Sequence, residues 1–186
     1  MKALILSDKE YRTEVFDGIH NRLMEYLGEK GFQTEEIALG REDLAFCMGC
    51  FGCWVKSPGE CVIKDVMARI NEKYVNSDVV VYLCPVVFGQ MSANIKNAID
   101  RWLPNVLPFF EKRKDGSTIH PTRYKHNPIQ LMIAYGDSLE EEDVQLFMNI
   151  SLKHRSGAHI LVYRDCVEEL IEELNRISLG KVGAIV

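Results

Sequence analysis

Four cysteines stand in one short stretch, Cys47-x2-Cys50-x2-Cys53-x7-Cys61, with Gly49, Gly52 and Gly59 between them to allow tight turns. Thiolates at this spacing suit an iron–sulfur cluster or, less often, zinc. The same stretch also reads as a loop without metal, its thiols packed beside Phe46, Phe51 and Trp54. A second group follows the opening apolar run. Ser7, Lys9, Arg12 and Thr13 bring hydroxyls and cations to the point where a helix begins. Free N–H groups and the helix dipole make such a point attractive to phosphate. With no glycine between Ser7 and Thr13, it also reads as a plain polar loop in which Thr13 caps the helix.

A third group, Pro85, Val86, Val87, Phe88, Gly89, Gln90 and Met91, offers apolar contact to a ring system through Phe88 and Met91 and exposes backbone at Gly89 and Gln90. Its alternative is a strand-to-helix turn in which Phe88 closes the core. Tyr135, Gly136 and Asp137 form a fourth group, a tight turn ahead of a helix. The acids Glu140, Glu141 and Glu142 in that helix's first turn suit its dipole and make it a poor phosphate site. Cys84 and Cys166 read as buried structural thiols. The histidines His20, His120, His126, His154 and His159 show no ligand spacing with each other or with the cysteines, and the run Lys112-Arg113-Lys114 reads as a solvated loop.

The elements that must position these groups alternate between strand-like apolar runs and helix-period segments, the pattern of a parallel sheet covered on both faces. Strands are expected at 2–6, 33–39, 78–84, 129–134 and 158–163, with Pro85 ending the third. Helices are expected at 13–29, where Val15, Phe16, Ile19, Leu23 and Leu27 recur at three- and four-residue steps, and at 65–75, 92–103, 139–155 and 165–177. Asp65 is the expected cap of the second, Pro104 the stop of the third, and Asp165-x-x-Glu168 a capping box for the last. Residues 40–64 make a cysteine-rich loop. Residues 104–127, with three prolines and the turn signal Asp115-Gly116, make a surface excursion. The expected fold is one α/β domain over 1–186, a doubly wound five-stranded parallel sheet of order 2-1-3-4-5. In such sheets ligands bind beyond the carboxyl ends of the strands, where the second, third and fourth groups fall.

The bulk numbers agree with a globular chain. Its 186 residues fit one domain, 47% hydrophobic and 26% charged. A net charge of −5 argues against a nucleic-acid partner. The absence of any eighteen-residue apolar window argues against a membrane one, and the short first apolar run is no signal peptide, so a cytoplasmic location is expected. Thiols in a reducing compartment serve metal or redox chemistry more often than disulfides.

Taken together, Cys47-Met48-Gly49-Cys50-Phe51-Gly52-Cys53-Trp54, Ser57-Pro58-Gly59-Glu60-Cys61-Val62-Ile63-Lys64-Asp65, and the stretch from Pro85 through Lys96 to Asp100-Arg101 resemble the flavodoxin-like NAD(P)H-dependent FMN reductases, in their iron–sulfur flavoprotein branch. The resemblance implies FMN with its phosphate on the first loop, its ring against residues 85–91, and contacts from Tyr135, Gly136 and Asp137. It also implies a [4Fe–4S] cluster on Cys47, Cys50, Cys53 and Cys61, NAD(P)H as donor, a redox partner or small-molecule acceptor, and a homodimer or homotetramer. The first loop departs from the family's Gly-Ser-Pro-Arg pattern. It keeps Ser7 and Thr13, loses the glycines and proline, and adds Asp8 and Glu10, with Lys9 and Arg12 as an offset. The gap of seven before Cys61 is longer than in cluster-bearing members. Two other readings stay open: a flavodoxin-like scaffold that has lost FMN and acts through a partner or its cysteine loop, and a thiol redox protein using Cys50 and Cys53.

Overall fold

A computed structural model describes residues 1–114, 116–154 and 157–179. Five parallel strands form its sheet: β1 (Lys2–Asp8), β2 (Gln33–Leu39), β3 (Val79–Val87), β7 (Ile129–Tyr135) and β8 (His159–Val162), in the order β2-β1-β3-β7-β8. This is the expected 2-1-3-4-5 arrangement, with every crossover carrying a helix. Between the parallel strands lie three two-residue strands. One is β4 (Gln90–Met91), which folds back antiparallel on β3; the others are β5 (Glu111–Lys112) and β6 (Thr118–Ile119), which make a hairpin in the excursion.

The central strands are apolar on both faces because helices cover both. Ala3, Ile5, Val79, Val81, Leu131 and Ile133 pack against α1 (Glu14–Glu29) and α6 (Val167–Arg176). Leu4, Leu6, Val80, Tyr82 and Met132 pack on the other side against α3 (Met67–Val75), α4 (Ala93–Asp100) and Phe147 of α5 (Glu141–His154). A short helix, α2 (Gly52–Val55), lies in the cysteine loop. Thr13 caps α1 by accepting from the Phe16 amide, and Gly31 follows it at φ 78°, where a left-handed residue is wanted.

Several boundaries differ from expectation, each for a physical reason. Pro85 does not end β3. The strand pairs with β1 only through Tyr82, so beyond that point no N–H is owed to β1, while the Pro85 carbonyl accepts from the Ser92 amide. Helix α4 stops at Asp100 rather than Leu103, and Pro104 falls in a separate 3-10 turn at Leu103–Asn105. Asp65 lies ahead of the α3 cap position, although its carboxylate does accept from the Met67 amide at 3.0 Å. The capping box at Asp165 does not form: Asp165 is left-handed at φ 56° and Cys166 holds the cap position with no side-chain bond. Cys84 is buried as expected, whereas Cys166 is only half-buried. The expected helix end at Arg155 and the turn residue Asp115 lie outside the described residues.

Candidate functional site

The cysteine loop closes over the end of α4. Phe51 and Gly49 turn the chain at φ 53° and 64°, α2 then carries Cys53 inward, and the Gly59 amide ties back to the Cys53 carbonyl at 2.9 Å. Trp54 pins the loop to the body of the domain, its indole N–H donating to the carbonyls of Leu103 (3.0 Å) and Val106 (3.1 Å). The four thiols of Cys47, Cys50, Cys53 and Cys61 line one open cleft, together with Met48, Phe51, Val62 and Arg101. Among the described residues, no three ligating side chains are placed to hold a single metal ion.

Arg101 forms the floor of this cleft, with 1% of its side chain exposed. Its guanidinium forks onto Asp65 at 2.8 and 3.1 Å, donates to the Ala45 carbonyl at 2.5 Å, and reaches the Cys61 Sγ at 3.5 Å. Its Nε has no hydrogen-bond partner. Burial opposes the charge on Asp65, but Arg101 and the Met67 and Ala45 amides outweigh it and hold the carboxyl below the ordinary range. Burial likewise opposes the charge on Arg101, and Asp65 and Cys61 outweigh it, so the guanidinium stays firmly protonated. Burial pushes the Cys53 thiol up, and the neighbouring Cys61, Cys47 and Cys50 add to that push. The cleft thus gathers four thiols above a buried, ion-paired cation.

At the carboxyl end of the sheet, β3 outruns β1 and doubles back as β4, forming a ledge. Phe88 crowns the ledge at φ 48°, a left-handed conformation unusual for a bulky residue, with its side chain 90% exposed. Gly89 beside it, at φ 70°, lies so near Leu146 of α5 that a Cβ would come within 2.6 Å of the Leu146 Cδ2. Met91 is buried under the ledge, and Pro85, Val86, Val87 and Gln90 make its two arms. Gly136 is packed on Leu139, and Asp137 is exposed beside it. Tyr135 lies below, its hydroxyl donating to the Tyr11 carbonyl at 3.1 Å; burial, then the field of Asp8, pushes that phenol up. An exposed ring on a strained turn, at the sheet's carboxyl edge, suits contact with a planar ligand.

The first loop is arranged differently from the expectation of a phosphate cradle. Ser7 and Arg12 both donate to Glu36 Oε1, Lys9 pairs with Asp43 at 2.6 Å, and Thr13 is occupied as the α1 cap. Asp8 is fully buried and accepts from the Glu10 amide, the Ser92 hydroxyl and the Asn94 amide nitrogen. The ring end of a flavin site therefore fits these residues, and the phosphate end does not fit the loop as it stands.

Sequence reasoning groups the cysteines and the residues of 85–91, which the structure also brings together, but it misses Glu36, reads Asp8 only as an adverse charge, and gives Asp65 a cap's role. Glu36 carried one signal, a carboxylate in a strand between Glu35 and Ile37 with no pattern to explain it. Arg101 was visible only inside its motif.

An iron–sulfur flavoprotein of Archaeoglobus fulgidus is 33% identical over 127 residues, covering 68% of this chain and 51% of its own length. One from Methanocaldococcus jannaschii is 34% identical over 93 residues, covering 50% and 47%. The chain spans about half the length of the curated relatives it matches. Among solved structures, an NAD(P)H:quinone oxidoreductase from Methanothermobacter marburgensis superposes with TM-score 0.63 at 13% identity, covering 95% of this chain and 92% of that one. An FMN-dependent NADH-azoreductase from Bacillus anthracis gives 0.58 at 11%, covering 94% and 97%. These two share the flavodoxin-like fold. The family described as NADPH-dependent FMN reductase matches residues 1–116, and the chain belongs to that family.

Proposed function

We propose that the chain is a cytoplasmic, single-domain FMN oxidoreductase that draws electrons from NAD(P)H and passes them to a redox partner or a small-molecule acceptor. The observation that carries this reading is the ledge of β3 and β4 in a chain of an FMN reductase family, with Phe88 displayed at the carboxyl edge of the sheet, where open parallel sheets take their ligands. Bound flavin supplies the hydride and single-electron chemistry; the protein holds, orients and shields it.

In this reading Phe88 and Val87 face the ring, the backbone at Gly89 and Gln90 offers hydrogen bonds to its polar edge, and Tyr135, Gly136 and Asp137 border it from β7. Leu146 backs the ledge from α5, packed against Gly89. Cys47, Cys50, Cys53 and Cys61 would hold a [4Fe–4S] cluster, with Arg101 offsetting the cluster's negative charge and fixing Cys61. A homodimer or homotetramer is part of the proposal. Phe46, Met48, Phe109 and Phe110 are exposed on the cysteine loop and the excursion, and a second copy would cover such apolar area.

A second reading is favoured by one observation, the carboxylates that occupy the donors of the first loop. It makes the chain a scaffold without flavin that acts through its cysteine cleft. An absorption spectrum of protein purified without oxygen, repeated in air, separates the readings. Flavin bands with a broad shoulder that bleaches in air support the flavoprotein with a cluster, and flavin bands alone leave the cysteines without iron. Neither feature, even after FMN is added, overturns the oxidoreductase reading in favour of the scaffold.

A further inference from the structure

We propose that Glu36 stands where a flavin's terminal phosphate would be received, so that the first loop does not select for phosphate and the chain binds riboflavin and FMN with similar affinity. The inference rests on the flavin reading above and concerns which flavin that site accepts.

The first loop assembles the parts of an anion site at the start of α1, and an internal carboxylate has taken them. Ser7 Oγ and Arg12 Nη2 converge on Glu36 Oε1, the latter at 2.6 Å, while His20 Nε2 approaches Oε2 at 3.0 Å. Phe16 holds both partners in place: the Arg12 guanidinium lies 4.9 Å from its ring centroid and the His20 ring stacks on it at 5.3 Å. The backbone explains why the carboxylate arrives there. Ile5 pairs with Glu36 across β1 and β2, so Glu36 projects to the same face of the sheet as Ile5 and Ser7, directly under the first turns of α1.

The remaining donors are engaged as well. Lys9 pairs with Asp43, whose carboxylate also accepts from the Gly40 amide at 2.7 Å. Asp8 brings a further carboxylate into the loop, held by Ser92 and Asn94 from the start of α4. A phosphate entering this loop therefore meets Asp8 and Glu36 at close range in a half-buried setting, where like charges are only weakly screened. Displacing Glu36 would instead strip a half-buried carboxylate of its donors, which is costly. Riboflavin carries the same ring and the same polyol without the phosphate, and meets neither obstacle.

The test is a pair of binding titrations of the full chain, following quenching of flavin fluorescence by riboflavin and by FMN, with wild type and Glu36→Gln. Glutamine keeps the size of the side chain and removes its charge, so the fold is retained while Ser7 and Arg12 are held less tightly. Wild type should bind the two flavins within about threefold of each other, and Glu36→Gln should gain at least about tenfold for FMN alone, a change of about 1.4 kcal/mol. Adding Ser7→Ala to Glu36→Gln should reverse part of that gain, because the freed hydroxyl then serves the phosphate.

A wild type that prefers FMN by about a hundredfold, or a Glu36→Gln chain of unchanged melting temperature and unchanged preference, overturns the inference and leaves the flavin reading intact. Absence of binding by either flavin to either chain removes the flavin reading itself, and this one with it. The wild-type ratio decides the question alone if the variant does not fold.

Discussion

Arg101 and Asp65 show how much a single buried pair governs. The guanidinium has 1% of its surface in solvent, and Asp65 is its only carboxylate partner among the described residues. Asp65→Ala should therefore cost about 3–5 kcal/mol in urea unfolding, because it leaves a buried cation uncompensated. Replacing both together, Asp65→Leu with Arg101→Met, should recover much of that loss. The pH dependence has a defined sign. The Asp65 carboxyl is held below its ordinary value in the folded chain, so its contribution is complete above about pH 4 and is lost as pH falls through the lower folded value. Asp65→Asn should remove that acid-dependent part of the stability curve. Phe88 presents the opposite case, strain kept at a surface residue. Phe88→Gly should raise stability by about 1 kcal/mol in a thermal melt, since glycine accepts φ 48° freely, and should weaken flavin binding in the same preparation. Neither feature was legible from the residues alone: Asp65 and Arg101 are 36 positions apart, and a positive φ at a phenylalanine has no composition signal.

The elements were more open to reading than the contacts between them. Strand runs such as Val79-Val80-Val81 announce burial on both faces, and the periodic apolar residues of α1 announce its inner side. Pro85 misled because a proline commonly ends a strand, and only the early end of β1 pairing shows why this one does not. The ledge that follows depends on α5 as much as on its own residues. Gly89→Ala should destabilise the chain by about 1–3 kcal/mol from its left-handed backbone, with a further loss from collision with Leu146. Pairing it with Leu146→Ala should relieve the collision and leave the backbone strain, so the double variant should melt between Gly89→Ala and the parent after the Leu146→Ala loss is subtracted. Full recovery would show that φ at this position is of no consequence.

Across the whole molecule, the two helical layers share every central strand, so the sheet should unfold as one unit. Cys84 reports on that unit because it lies at the middle of β3, fully buried, with its thiol pushed up by burial. A thiol reagent should modify Cys47 and Cys50 at once and Cys84 only at the rate of global opening, read by mass spectrometry after timed quenching. Early modification of Cys84 would show that the sheet's centre opens locally. The layout along the chain carries a last consequence, for assembly. The thiol cleft is built entirely from residues ending at Pro104, with Arg101 already in place beneath it. The ledge is incomplete until Leu146 arrives from α5. On a ribosome, where the amino-terminal part emerges first, the whole lining of the thiol cleft is therefore synthesised before the last contact of the ledge.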